Sequence, residues 1–216
     1  MASSDLYDDT RNWKPEIIDP SSPEGLKRFS KLKLDGTIRT VSDTLENQVA
    51  ELALIRHPYL QQDPSGLVKA IGEILGENDW ETFGCWVVFH WLGSAVRLLS
   101  EDEFVEVRTN RNKNRITREE QEELSLKAVG IVGLSVGQSA AFTIAMERSA
   151  GTIVIADFDD LELSNLNRIR AGIHELGLPK WIIAARSILE VDPFINIEVF
   201  PQGISEKNIH GFMDKC

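Results

Sequence analysis

The feature that most constrains the fold is a pair of β-branched runs with a glycine turn between them. Ala128–Val132 runs into Gly133-Leu-Ser135-Val-Gly137, and Ile153–Ala156 ends in the acidic Asp157. Strand, glycine turn, helix and a second strand with a carboxylate at its tip is the layout of a mononucleotide-binding βαβ unit. Glycines let the backbone approach a phosphate, the free N–H groups of a helix start face it, and the carboxylate accepts from ribose hydroxyls. Hydrophobic spacing predicts strands over 128–132, 152–157 and 196–200, helices over 136–149 and 180–190, and a helix start at Ser205.

The glycine turn departs from the usual Gly-x-Gly-x-x-Gly. Ser135 takes the second place, Gln138 the third, and Gly137 sits one residue off. Ser135 is small enough for a phosphate to approach and can donate through its hydroxyl, whereas Gln138 is a bulkier change. The same residues spell Gly133-x-Ser135-x-Gly137, the nucleophile elbow of α/β-hydrolases. That alternative needs a downstream acid and histidine, for which only His174 and His210 are available, and it leaves the polar loop after Asp157 without a role. In that loop Asn165 and Arg168 are three residues apart, so a helical turn puts them on one face. Lys180 opens the next helix against its dipole, which a bound anion would explain. A hydride-transfer site does not need this cluster and a triphosphate site does, although Asp157 alone also suits an NAD-dependent oxidoreductase.

Asp157–Arg168, DFDDLELSNLNR, resembles the signature of the ThiF/E1-like adenylyltransferases, the ubiquitin-activating enzymes and their bacterial relatives in thiamin and molybdopterin synthesis. Gly177-Leu-Pro-Lys180 is similar to the family's glycine-x-proline-lysine helix start, and Arg108-Thr-Asn-Arg111-Asn112 to its arginine-rich motif before the first strand. The likeness covers roughly residues 104–205, and Trp86–Gln121 resembles a bacterial subgroup in which the E1-like domain is fused to a nitroreductase-like region. The resemblance implies ATP with magnesium, and a carboxylate activated as an acyl-adenylate with pyrophosphate leaving. The carboxylate would be the C-terminus of a ubiquitin-like or sulfur-carrier protein, or another acid. It implies nucleotide binding by Gly133, Ser135, Gly137, Asp157 and Asn165, and catalysis by Arg168 and Lys180. Arg111 would be an arginine finger reaching the ATP site of the second subunit of a homodimer. The family's magnesium-binding aspartate is expected beyond residue 216, so the chain is expected to hold half of a nucleotide fold; no metal ligand is assigned within it. A non-catalytic E1-like subunit that dimerises and lends Arg111 is the alternative.

A net charge of −11 argues against a nucleic-acid or anionic membrane surface, with Arg108–Arg118 as a local basic exception. Cys85 and Cys216 form neither a disulfide framework nor a zinc spacing, and Cys85 lies in an apolar run that reads as core. The acidic start MASSDLYDD lacks the apolar stretch of a signal peptide, and Cys85–Leu99 is too short and too interrupted to span a bilayer, so a cytoplasmic protein is expected.

The expected fold class is α/β, a partial Rossmann-like, E1-like nucleotide-binding fold preceded by a small α+β domain. Residues 1–38 read as a polar arm anchored by Trp13 and Ile17-Ile18. Residues 39–100 read as the α+β domain, with helices over 40–56 and 66–75, a hairpin of Trp86–Trp91 with Ala95–Leu99, and Trp80, Trp86 and Trp91 as core. Residues 101–126 read as a helical connector carrying the arginine motif and a capping box at Thr117-Arg-Glu-Glu120, and residues 127–216 as the N-terminal half of the Rossmann-like domain.

Overall fold

Backbone pairing divides the strands between two sheets in the computed structural model, which describes residues 12–216. Two compact units follow: Pro15–Arg111, and Asn112–Cys216 together with residues 12–14.

The first unit runs β1 (Glu16–Ile18), α1 (Pro23–Leu34), β2 (Thr40–Asp43), α2 (Leu45–Arg56), α3 (Pro64–Leu75), β3 (Cys85–Phe89), β4 (Ser94–Leu98) and α4 (Glu101–Thr109). Its sheet has the order β1-β3-β4-β2; β3 is antiparallel to both β1 and β4, and β2 is parallel to β4. Helix starts follow local chemistry. Ser22 and Asp63 each accept the N–H of the glycine three residues on, at 3.0 Å, and Pro23 and Pro64 occupy first helical positions where no N–H is needed. The hairpin turns at Gly93, whose φ of +61° favours glycine.

Three expectations change here. The arm does not hold from Pro15 onward, because β1 pairs with β3 and α1 buries Leu32 against Ile18, Trp86 and Val88; residues 1–11 of that arm lie outside the described residues. Of its proposed anchors Ile18 is buried and Ile17 is exposed. The helix expected from Thr40 begins at Leu45, since Thr40–Asp43 is drawn into pairing with β4. The connector expected over 101–126 divides: Phe104 and Val107 of α4 pack on Val49, Leu52 and Leu99 of the first unit, while the following helix belongs to the second.

The tryptophans serve packing. Trp86 is buried and stacks on Phe29 at 4.4 Å, and Trp80 packs against the cluster around Leu45 and Phe83. Arg97 lies buried over Trp86, and its Nη2 donates to the carbonyls of Trp80, Glu81 and Phe83 at 2.6, 2.7 and 3.0 Å. One guanidinium thereby fixes the loop that enters β3.

The second unit runs α5 (Arg118–Ser125), β5 (Ala128–Val132), α6 (Gly137–Glu147), β6 (Thr152–Ala156), α7 (Lys180–Val191), β7 (Asn196–Phe200) and α8 (Ile209–Met213). The capping box is present: Glu120 N donates to Thr117 Oγ1 at 3.2 Å and Thr117 N to Glu120 Oε2 at 2.7 Å. The sheet is parallel, in the order β5-β6-β7. Its central strand β6 is buried on both faces, as its unbroken apolar run requires. Ile153 and Ile155 meet Ala141 and Ala145 of α6 and Ala184, Ala185 and Ile188 of α7, while Val154 and Ala156 meet Phe212 of α8. Trp13 packs against the first of these clusters, edge-on to Trp181 at 6.0 Å.

Burial pushes the Cys85 thiol up to about 11. The unperturbed thiol titrates near ~8.5, so Cys85 stays protonated where an exposed cysteine reacts. In the native protein at pH 8 it should resist iodoacetamide, and it should become alkylated once the first unit is denatured; mass mapping of the Cys85 peptide checks this.

Candidate functional site

Ligands of open parallel sheets bind at the carboxyl ends of the strands. In the second unit that end carries the glycine turn after β5, the acidic loop after β6 and the helix start at Lys180.

The glycine turn is built around Gly133, whose φ of +82° is a left-handed conformation. Gly133 N donates to the carbonyl of Ala156 at 2.8 Å, and Leu134 N donates to Asp157 Oδ2 at 2.6 Å. The other carboxylate oxygen of Asp157 accepts from Asp159 N at 2.8 Å. Asp157 is only 6% exposed. It therefore joins the glycine turn to the acidic loop. A carboxylate offers about four acceptor sites, so two remain for hydroxyl donors. Ser135 is half-buried and Val136, the residue before α6, is 74% exposed. Gly137 opens α6, and a Cβ there would come 2.7 Å from the Ile131 side chain, so close packing accounts for glycine one place off the usual pattern.

Gln138 is buried, and its Nε2 donates to the carbonyl of Arg170 at 3.0 Å. The side chain that replaces the third glycine thus reaches the loop containing Arg168. Nothing in the spacing alone would have singled it out, beyond a polar residue standing where glycine is usual.

The acidic loop is laced to the turn before α7. Leu161 N donates to Leu178 O at 2.8 Å, Gly177 N to Leu161 O at 2.9 Å and Lys180 N to Asp159 O at 2.9 Å. Gly177 makes the bend at a φ of +85°. These bonds explain the glycine-x-proline-lysine sequence locally: glycine turns, proline lacks a donor where none is used, and lysine enters α7. Lys180 is buried, and its Nζ lies 2.8 Å from Asp159 Oδ2, whose side chain is 51% exposed. The anion expected beside Lys180 is therefore first of all a protein carboxylate, and Asp159 joins the candidate residues.

Asn165 is buried in a 3-10 turn over Leu163–Asn167, where its Oδ1 accepts from Glu162 N at 3.0 Å and its carbonyl accepts from Arg168 N at 3.1 Å and Ile169 N at 2.9 Å. It shapes the loop that presents Arg168. Arg168 is exposed, with Nη1 donating to Asn167 Oδ1 at 2.9 Å. Arg111 ends the first unit on an exposed 3-10 turn. Its neighbour Asn112 belongs to the second unit and donates to Gln121 Oε1 at 2.8 Å and to the carbonyl of Glu147 at 3.0 Å. Among the described residues no three His, Cys, Asp or Glu side chains gather as a metal site, and the magnesium ligand expected beyond residue 216 falls outside the sequence.

The double acceptance by Asp157 has a stability signature. In Asp157→Asn the side-chain amide accepts one N–H and turns an NH2 toward the other. The second unit should lose about 1–3 kcal/mol, measurable by denaturant unfolding followed at that unit. A carboxylate reserved for ribose alone would leave stability unchanged.

Comparison with known proteins agrees with the signature loop. The ThiF family model matches residues 108–216. "Uncharacterized protein MT1398" of Mycobacterium tuberculosis (strain CDC 1551 / Oshkosh) is 43% identical over 186 residues, which are 86% of this chain and 24% of that protein. The probable molybdopterin-synthase adenylyltransferase of Porphyra purpurea is 35% identical over 86 residues, 39% of this chain and 22% of that protein. Among solved structures, E. coli tRNA N6-threonylcarbamoyladenosine dehydratase, TcdA, in complex with ATP aligns with a TM-score of 0.48 and 23% identity over 50% of this chain and 45% of that one. The chain spans about a quarter of the length of the curated relatives it matches. With the family model covering half of its residues, the chain belongs to the ThiF family.

Proposed function

We propose that the complete protein adenylates a carboxylate with ATP. The observation that carries this reading is the convergence of the signature loop, the glycine turn and Lys180 at the carboxyl end of one parallel sheet, with the Arg168 guanidinium exposed there. A carboxylate oxygen of the substrate attacks the α-phosphorus of ATP, the bond from that phosphorus to the oxygen bridging to the β-phosphate breaks, and pyrophosphate leaves. Positioning and charge neutralisation are the protein's contribution, and no covalent enzyme intermediate is involved. Asp157 and Asp159 offer acceptors to the ribose, while α6 offers N–H groups and Arg168 and Lys180 offer charge to the phosphates. For its ammonium to meet a phosphate, Lys180 turns away from Asp159. A protein C-terminus of the ubiquitin-like or sulfur-carrier kind suits the family and the name of the molybdopterin-synthase relative. We further propose a cytoplasmic homodimer in which Arg111 serves the partner's nucleotide; among the described residues no helix is long and apolar enough to cross a membrane.

One observation favours a second reading, a subunit that binds but does not turn over ATP. Ser135 and Gln138 stand where the usual pattern has glycine, and Val136 between them projects from the turn, 74% exposed.

Calorimetric titration of the complete protein should show ATP binding with magnesium and none for NAD at the same concentration. NAD binding without ATP binding would overturn the proposal, and ATP binding without ATP–pyrophosphate exchange would select the second reading. Arg168→Ala should lower that exchange by about a hundredfold, the ~3 kcal/mol of a lost transition-state donor. Its melting temperature should not move, because the guanidinium is exposed. Arg111→Ala mixed with Arg168→Ala should regain activity if the two arginines act across a dimer. No recovery in mixed dimers proven by light scattering would put Arg111 in its own subunit.

A further inference from the structure

We infer that Gln138 is a positioning residue: it ties the first turn of α6 to the arginine loop and thereby holds Arg168 in place. Gln138 is the second residue of α6 and only 4% exposed, and its Nε2 donates at 3.0 Å to the carbonyl of Arg170, two residues beyond Arg168. One helical turn further on, on the same face, the Phe142 ring lies 5.8 Å from the Arg170 guanidinium. The same helix thus holds both the backbone and the side chain of Arg170. Between the two arginines Ile169 is buried against Leu161, Leu178 and Ile183. On the other side the carbonyl of Asn165 accepts the N–H groups of both Arg168 and Ile169. Arg168 is therefore exposed at its tip and secured on both flanks.

The chemistry of residue 138 separates this role from simple filling of space. Gln138 Oε1 is buried and has no hydrogen-bond partner among the described residues. An unpartnered buried acceptor is unfavourable. A side chain present only for its volume would serve better as leucine or methionine. What glutamine adds is the N–H donor, and that donor is aimed at the arginine loop. A glycine at this place lets a helix pack closely on its strand but has no side chain to span to the loop. The departure from the glycine pattern thus leaves close packing to Gly137 and adds, at residue 138, a cross-link between the glycine turn's helix and the arginine loop.

The kinetic part of this inference rests on the adenylation reading, and the structural part does not. The test compares the full-length wild type with Gln138→Met, which keeps the length and removes the donor. Hydrogen exchange of the peptide spanning residues 165–172 should be roughly tenfold faster in the variant, the weight of one lost hydrogen bond. The kcat of ATP–pyrophosphate exchange should fall by a similar factor while the KM for ATP stays within about twofold, as expected when a transition-state group is misplaced. If exchange in 165–172 is unchanged, the inference is wrong whatever the activity. If the wild type shows no pyrophosphate exchange, the adenylation reading fails and hydrogen exchange still decides the tie. Should Gln138→Met not fold, Phe142→Leu loosens the same junction from its other contact. The same peptide should then exchange faster, and unchanged exchange would again overturn the inference.

Discussion

The carboxylate of Asp157 is the point on which the carboxyl end of the parallel sheet turns. A buried charge is unfavourable unless its lone pairs are met, and here they are met by backbone N–H groups from two different segments, Leu134 in the glycine turn and Asp159 in the acidic loop. Hydrogen bonds to charged groups contribute about 1.5–3 kcal/mol each, so this one residue outweighs most single contacts around it. Without it the left-handed Gly133 would keep only its N–H bond to the Ala156 carbonyl as a link to β6 in that region.

Around that fixed point the remaining groups divide into those that hold and those that can move. Gln138 and Asn165 hold backbone groups with their side chains, and the ladder from Leu161 to Gly177 and Leu178 holds backbone to backbone. Asp159, Lys180 and Arg168 have charges that a ligand can engage, with Lys180 and Asp159 paired to each other at 2.8 Å. A lysine kept in register by a protein carboxylate is pre-aimed, and under the proposed function it exchanges that partner for a phosphate. In the first unit Arg97 does similar holding work, with one buried guanidinium fastening three carbonyls of the loop before β3.

Much of this was legible in the sequence because the signals are local. The β-branched runs gave β5 and β6 within a residue, Thr117 and Glu120 gave a helix start, and the signature from Asp157 to Arg168 gave the family. What failed depends on partners far along the chain. Thr40–Asp43 is a strand with every side chain exposed, so no apolar alternation marks it, and only pairing with β4 makes it one. Glu16–Ile18 is three residues long and is fixed by β3, seventy or so positions on. The type of Asp157 was readable, but not that backbone amides would take two of its acceptor sites. Lys180 was readable as a cation at a helix start, but Asp159 as its partner was not, since two aspartates next to each other look alike in a sequence.

The central claim is that the site is organised in advance by Asp157 and that nucleotide engages it by opening the Asp159–Lys180 pair. Crystal structures of the complete protein with and without AMP test it most directly. The account predicts that the Leu134 N–H to Asp157 bond persists in both while the Lys180 ammonium leaves Asp159 for the phosphate. A bound nucleotide with the Asp159–Lys180 pair still closed, or with Leu134 released from Asp157, would contradict it.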